Sequence, residues 1–302
     1  MSFDTPITIS GPPRSPRNLL HDQQYDGHAS LHDESVAGDL GLAGAPIEGP
    51  THFSQFEPFG VTLWGRRWYE TGCISMHFQT MVVEGEEVTA RASTTPGAEL
   101  AEVSAAKADG TPVCAGTISV DPAASTALDE RLTTIAAREV GELFVVDQLE
   151  VGMRSRRPVT ASVDMNTPSG NLYPFSLRRK LETITESTPW FETDDTPWGR
   201  PVLPFEMISV LAQKPGTDFP VRGPAVGLFL DLEIRMVDGP VFVDEEYTIE
   251  REVVALSQSR KVESYWVRSS LAAHDGRHAA DVLLHSGVFK ASYAGYPADR
   301  LA

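Results

Sequence analysis

At 302 residues, with 41% apolar and 22% charged side chains, the chain has room for two medium domains and can bury a core without disulfide staples. A formal net charge of −17 argues against non-specific binding to nucleic acid or an anionic membrane, and no apolar run nears the roughly twenty residues of a membrane span. Two cysteines, Cys73 and Cys114, form no disulfide framework and have no partner at metal-ligand spacing.

The N-terminus has no apolar stretch behind a basic start, so a cytoplasmic location is expected. Residues 1–17 hold four prolines and are expected to form a flexible, extended arm. Tyr25 to Phe56 then crowds His28, His32 and His52 together with Asp26, Asp33, Glu34 and Asp39. Glycines and Pro46 and Pro50 punctuate this stretch, and titratable groups among residues that permit close backbone approach are what an active-site loop needs. Asp33 is an N-cap candidate for a short helix over 35–40, and 41–51 reads as loop. Phe53, Phe56 and Phe59 recur near every third residue, which suits one face of a helix from His52 to about Gly60.

After Trp64 the texture becomes alternating and β-branched. CISMHFQTMVV, VTARAST, AELAEVSAAKADG and TPVCAGTISV predict an antiparallel meander that turns at Gly85 and at Asp109-Gly110. These close a first unit over 18–123. STALDERLTTIAAR predicts a helix with Leu128, Leu132 and Ile135 on one face, within a connection at 124–140. In the second unit, 141–302, GELFVVDQLEVGM reads as a strand and FSLRRKLETI as a helix. PVLPFEMISVLAQ is the counterpart of PIEGPTHFSQFEP, and four long alternating segments follow. The last two of these turn at Asp275-Gly276, in the same phase as the Asp109-Gly110 turn. A helix plus a four-strand meander, present twice, is the natural account.

That α+β arrangement, two tandem helix-plus-antiparallel-sheet units, resembles the double hotdog fold. The histidine-rich stretch narrows the resemblance to the MaoC-like (R)-specific enoyl-CoA hydratase/dehydratase family. There a loop carries Asp, then Asn-Pro, an apolar residue and His, and a Gly-rich turn leads into Pro-Ile-x-His-Gly at the hotdog helix. Here Leu31-His32-Asp33, Ala37, Leu40-Gly41, Gly44, Pro46-Ile47 and a shifted His52 match. Gly27 stands where the family has its catalytic Asp, Ala29-Ser30 replaces Asn-Pro, and Gly49-Pro50-Thr51 replaces His-Gly. PVLPFEMI has no histidine, so the second unit is expected to be non-catalytic or to shape the acyl tunnel.

The resemblance implies a hydro-lyase acting on an enoyl or 3-hydroxyacyl thioester through an Asp/His-activated water. Asp26 and His32 are then the expected dyad, His28 a hydrogen-bonding partner, and the N–H groups from Gly49 to His52 an oxyanion site. Gly49, Thr51, Phe53, Phe56 and Trp64 are the expected substrate contacts. His77, His274, His278 and His285 read as structural. No cofactor and no metal are expected. The expected partner is a small molecule, CoA- or carrier-linked, with the chain a homodimer. A hotdog thioesterase, isomerase or cyclase on a polyketide-like substrate stands as the alternative, as does a non-catalytic acyl-binding protein.

Overall fold

Ten strands join in one antiparallel sheet in the computed structural model, which describes residues 5–24, 27–216 and 219–301. The first unit supplies β1 (Ile7–Ser10), β2 (Cys73–Phe78), β3 (Val88–Thr94), β4 (Leu100–Lys107) and β5 (Pro112–Ser119). The second supplies β6 (Val159–Ala161), β7 (Gly227–Met236), β8 (Tyr247–Gln258), β9 (Val262–Ala273) and β10 (His278–Phe289). Their order is β1-β3-β4-β5-β2-β7-β10-β9-β8-β6. Read outward from the β2–β7 seam, each half runs first strand, fourth, third, second, then a short added edge strand. The duplication is therefore written in the topology. The two Asp-Gly turns agree down to atoms: Asp109 Oδ1 accepts from Thr111 N–H and Asp275 Oδ1 from Arg277 N–H, both at 2.9 Å. Gly110 and Gly276 both adopt positive φ, 88° and 86°, which only glycine takes at little cost.

The helices are α1 (Glu34–Asp39), a 3-10 helix Gly49–Gln55 running into α2 (Glu57–Trp64), α3 (Arg67–Thr71), α4 (Ala127–Ala136), α5 (Leu177–Leu181) and α6 (Phe205–Gln213). Among the described residues, no helix is long and apolar enough to cross a membrane. The expected cap is present: Asp33 accepts from Ser35 and Val36 N–H at the start of α1. The 3-10/α2 segment and α6 are the paired central helices, and one continuous core joins Phe53, Phe56, Trp68, Phe205, Ile208 and Leu211 to both halves of the sheet. Trp68 stacks on Phe205 with ring centroids 4.5 Å apart. Between the helices, Glu57 accepts from Phe205 N–H at 2.5 Å and from the Tyr69 hydroxyl at 3.1 Å. Burial pushes its carboxyl up to about 8.

The strand period of two puts Ile74, Met76, Leu232 and Ile234 toward these helices, and Ser75, Asp231 and Glu233 toward the opposite face. There α4 caps itself with Thr126, whose hydroxyl also donates to Glu233 at 2.6 Å, and lays Leu128 against Trp266 and Leu283. On the same face Asp231 accepts from His285 Nδ1 at 2.6 Å and His77 Nδ1 at 2.7 Å, and lies 2.8 Å from Arg131 Nε of α4.

Two sequence expectations change here. The N-terminal arm is not loose along its length: Ile7–Ser10 pairs with β3, and Arg14 bridges to Val88. GELFVVDQLEVGM is not a strand, although Val145 and Val146 are fully buried. Their N–H groups and that of Phe144 donate to the Glu263 carboxylate at 2.8–3.2 Å, so a buried anion satisfies the backbone that a sheet neighbour would otherwise satisfy.

Candidate functional site

A cavity of about 620 Å³ opens where the 3-10 helix Gly49–Gln55 begins and α6 ends. Its apolar walls come from both units, with Phe78 and Val82 from the first and Leu228, Val267 and Leu284 from the second. Gln213, Tyr173 and Arg251 add polar groups from the second unit, which therefore shapes the cavity without bringing a histidine of its own.

His28, His32, Glu48, Gly49 and His52 all border this space. The loop carrying the first two is tied down at several points. Ala29 N–H donates to Ala225 O at 3.2 Å, Ser30 Oγ to Gln23 at 2.7 Å, and the Asn18 amide to His32 O at 3.2 Å. The His28 ring fits because residue 223 is glycine; a Cβ there would stand 2.7 Å from His28 Cε1.

His32 Nδ1 lies 2.7 Å from Pro46 O. A carbonyl can only accept, so Nδ1 carries the hydrogen and the neutral ring keeps its lone pair on Nε2. Burial lowers the pKa of His32, against the opposing pull of Pro46 O and Glu48, and Lys180 lowers it further. The ring is thus a neutral base at pH 7. His52 is only 2% exposed, and its Nδ1 has no hydrogen-bond partner among the described residues. Burial pushes it down to about 4, with Lys180 and Lys107 adding to the effect.

Sequence reasoning did not single out Glu48, and took Lys180 only as part of a basic cluster with Arg178 and Arg179. Lys180, on α5, is 2% exposed, and its ammonium faces three acceptors: Thr51 Oγ1 at 2.9 Å, Glu206 Oε2 at 3.1 Å and Glu48 Oε2 at 3.3 Å. Its hydrogen bonds go to Thr51 and Glu48, and Glu206 adds a second counter-charge. Burial pulls its pKa down, but the carboxylates of Glu206 and Glu48 outweigh that and hold it above the ordinary value. Burial likewise pushes Glu206 up to about 7, with Lys180 opposing.

The other expected site residues lie elsewhere. Asp26 falls outside the described residues. Phe53 and Phe56 do not border the cavity; the helix turns both inward and they are fully buried in the core. Trp64 is also away from it, stacked on Trp68 with its Nε1 donating to Ala98 O at 2.9 Å. Thr51 is a ligand of Lys180, not part of the cavity wall. The expected set of N–H donors shrinks as well, because Pro50 has none and Thr51 N–H already donates to Glu48 O at 3.1 Å. Gly49 remains at the wall, where a Cβ would meet the Phe78 ring at 3.2 Å.

No family model and no curated protein matches the chain. Solved structures do share its architecture. A MaoC-domain protein from Chloroflexus aurantiacus, provisionally described as a dehydratase, has a TM-score of 0.57 at 13% identity over 95% of both chains. A conserved hypothetical protein of Mycobacterium tuberculosis, described as having a double hotdog fold, gives 0.57 at 12% identity over 96% of this chain and 97% of that one. At such identities the likeness carries the fold alone. Together with the mirrored strand order, it establishes that this chain has the double hotdog fold, in an architecture shared with a MaoC-domain protein.

Proposed function

We propose that the chain is a hydro-lyase that adds water to the double bond of an enoyl thioester, or removes it from the corresponding 3-hydroxyacyl thioester. The observation that carries this reading is a neutral imidazole, His32, with its tautomer set by Pro46 O, on the wall of a cavity lined by both apolar and polar side chains. The apolar part of the wall, with Leu228, Val267 and Leu284, suits an acyl chain. His32 Nε2 takes a proton from water as the water oxygen bonds to the β-carbon. The π electrons move through the thioester carbonyl onto its oxygen, toward which Gly49 can present an N–H. Collapse of that enolate draws the proton from His32 to the α-carbon. One water is added, and the enzyme is restored.

The test is hydration of crotonyl-CoA and of a longer trans-2-enoyl-CoA, followed as loss of enoyl absorbance. Wild type is expected to turn over at least one of them, and His32→Ala to lose about 10²-fold or more in kcat/KM while staying folded. Because the neutral ring is the active form and its pKa is lowered, the acid limb of kcat/KM should lie below the ordinary histidine range near 6.5. No turnover of either thioester by wild type would defeat the reading.

A further inference from the structure

The geometry points to Glu48 as the carboxylate that works with His32, holding the attacking water through its unpaired oxygen. The inference rests on the hydro-lyase reading and supplies what that reading lacks, since Gly27 leaves no carboxylate five residues before His32.

Four observations converge on Glu48. It borders the cavity together with His32, His52 and Gly49. Its backbone is fixed on both sides: Ile47 N–H donates to Val82 O at 2.8 Å, Pro46 bridges to Val83, and the 3-10 helix starts at Gly49. It occupies the N-cap position of that helix, yet its side chain makes no capping hydrogen bond. Finally, the residue is 4% exposed and its two oxygens are treated differently. Oε2 faces Lys180, while Oε1 has no partner among the described residues.

An unsatisfied oxygen on a buried carboxylate is costly, by about 1–3 kcal/mol or more. Such a group is kept where a ligand completes it. A buried lysine 3.3 Å from Oε2, itself hydrogen-bonded to Thr51, balances the charge of the carboxylate and leaves Oε1 unpaired. Water has two hydrogens, and two acceptors can meet it here: His32 Nε2, and Glu48 Oε1 once a turn of the carboxylate brings that buried oxygen to the cavity. As the oxygen bonds to the β-carbon, the proton moves to His32. The second hydrogen stays on the water oxygen, donated in a hydrogen bond to Glu48 Oε1, and becomes that of the product hydroxyl. Glu48 remains an anion beside the transient imidazolium and stabilises it.

The test compares wild type, Glu48→Gln, Glu48→Asp and Asp26→Asn in the two hydration assays, with His32 followed by NMR titration of its ring carbons. Glu48→Gln keeps an acceptor for Lys180 and removes the charge, and is expected to lose about 10²-fold in kcat/KM with an unchanged fold. Its His32 titration is expected to move down by about half a unit or more, because a nearby anion favours the imidazolium. Should Glu48→Gln fail to fold, Glu48→Asp, which keeps the charge but withdraws the oxygen, is expected to lose about tenfold or more. Near-wild-type turnover in a folded Glu48→Gln, with Asp26→Asn inactive, would overturn the inference and give the role to Asp26. If wild type turns over neither thioester, the hydro-lyase reading falls. The His32 titration then decides alone, and an unmoved titration in Glu48→Gln, or in Glu48→Asp if only that variant folds, would overturn the pairing.

Discussion

Replacing Lys180 with Met is expected to cost about 3–5 kcal/mol of stability at pH 8, the range for removing one partner of a buried ion pair. The methionine fills most of the volume, so the loss is electrostatic. Glu48 and Glu206, 4% and 1% exposed, would be left as buried carboxylates with no counter-ion, and Thr51 Oγ1 would lose its donor. The pH dependence has a definite sign. Glu206 already has a raised pKa of about 7 with the lysine in place, and removing the lysine, which opposes that rise, lifts it further. Groups with raised folded-state pKa values stabilise the fold below their unfolded value near 4.5 and lose that contribution as pH climbs through the folded value. The deficit of Lys180→Met should therefore shrink between pH 8 and pH 5, and adding Glu48→Gln and Glu206→Gln should recover most of it. Urea denaturation at the two pH values reads both effects. A deficit below about 1 kcal/mol at pH 8 would show that the cluster is not the charged arrangement described here.

Asp231→Asn is expected to cost about 3 kcal/mol at pH 7, and to do so at the seam between the two halves. Asp231 is fully buried and gathers His77 from β2, His285 from β10 and Arg131 from α4. Burial alone would raise its pKa, but the hydrogen bonds from His285 and His77 outweigh it and hold the carboxyl well below the usual range. A depressed carboxylate contributes stability above its unfolded pKa near 3.8 and loses it only as pH falls through the folded value. The carboxylate thus keeps its charge from pH 7 to about pH 4, and the deficit should narrow only in stronger acid, after any protonation of the bound imidazoles has strengthened the wild-type cluster. An asparagine offers one acceptor and a donor, so at least one imidazole must turn or change tautomer, and Arg131 loses its counter-ion. A variant within about 0.5 kcal/mol of wild type would mean that α4 is held by Leu128 and Trp266 packing alone.

Much of the architecture was legible because it is local. The Asp-Gly turns, the Asp33 cap, the apolar face of α4 and the repeated meander all depend on residues within a few positions of one another. What was not legible depends on distant partners. Val145 and Val146 read as strand, because nothing nearby says that Glu263, over a hundred residues on, takes their N–H groups. Likewise Glu48 reads as a loop carboxylate until Lys180, 132 positions away, is seen to hold one of its oxygens. Phe53 and Phe56 carried a true signal, a helix face, but periodicity does not tell a face turned to the core from one turned to a ligand. The histidines were the better guide: His28, His32 and His52 do meet at one cavity.

The site itself is tested most directly by a crystal structure of His32→Ala, disabled for turnover, with a bound trans-2-enoyl-CoA. The β-carbon is expected beside position 32 and Glu48 Oε1, with the thioester oxygen near Gly49 N–H and the chain running toward Leu228 and Val267. A thioester bound elsewhere, or one entering this cavity with its reacting carbons at the Arg251 end, would contradict the account.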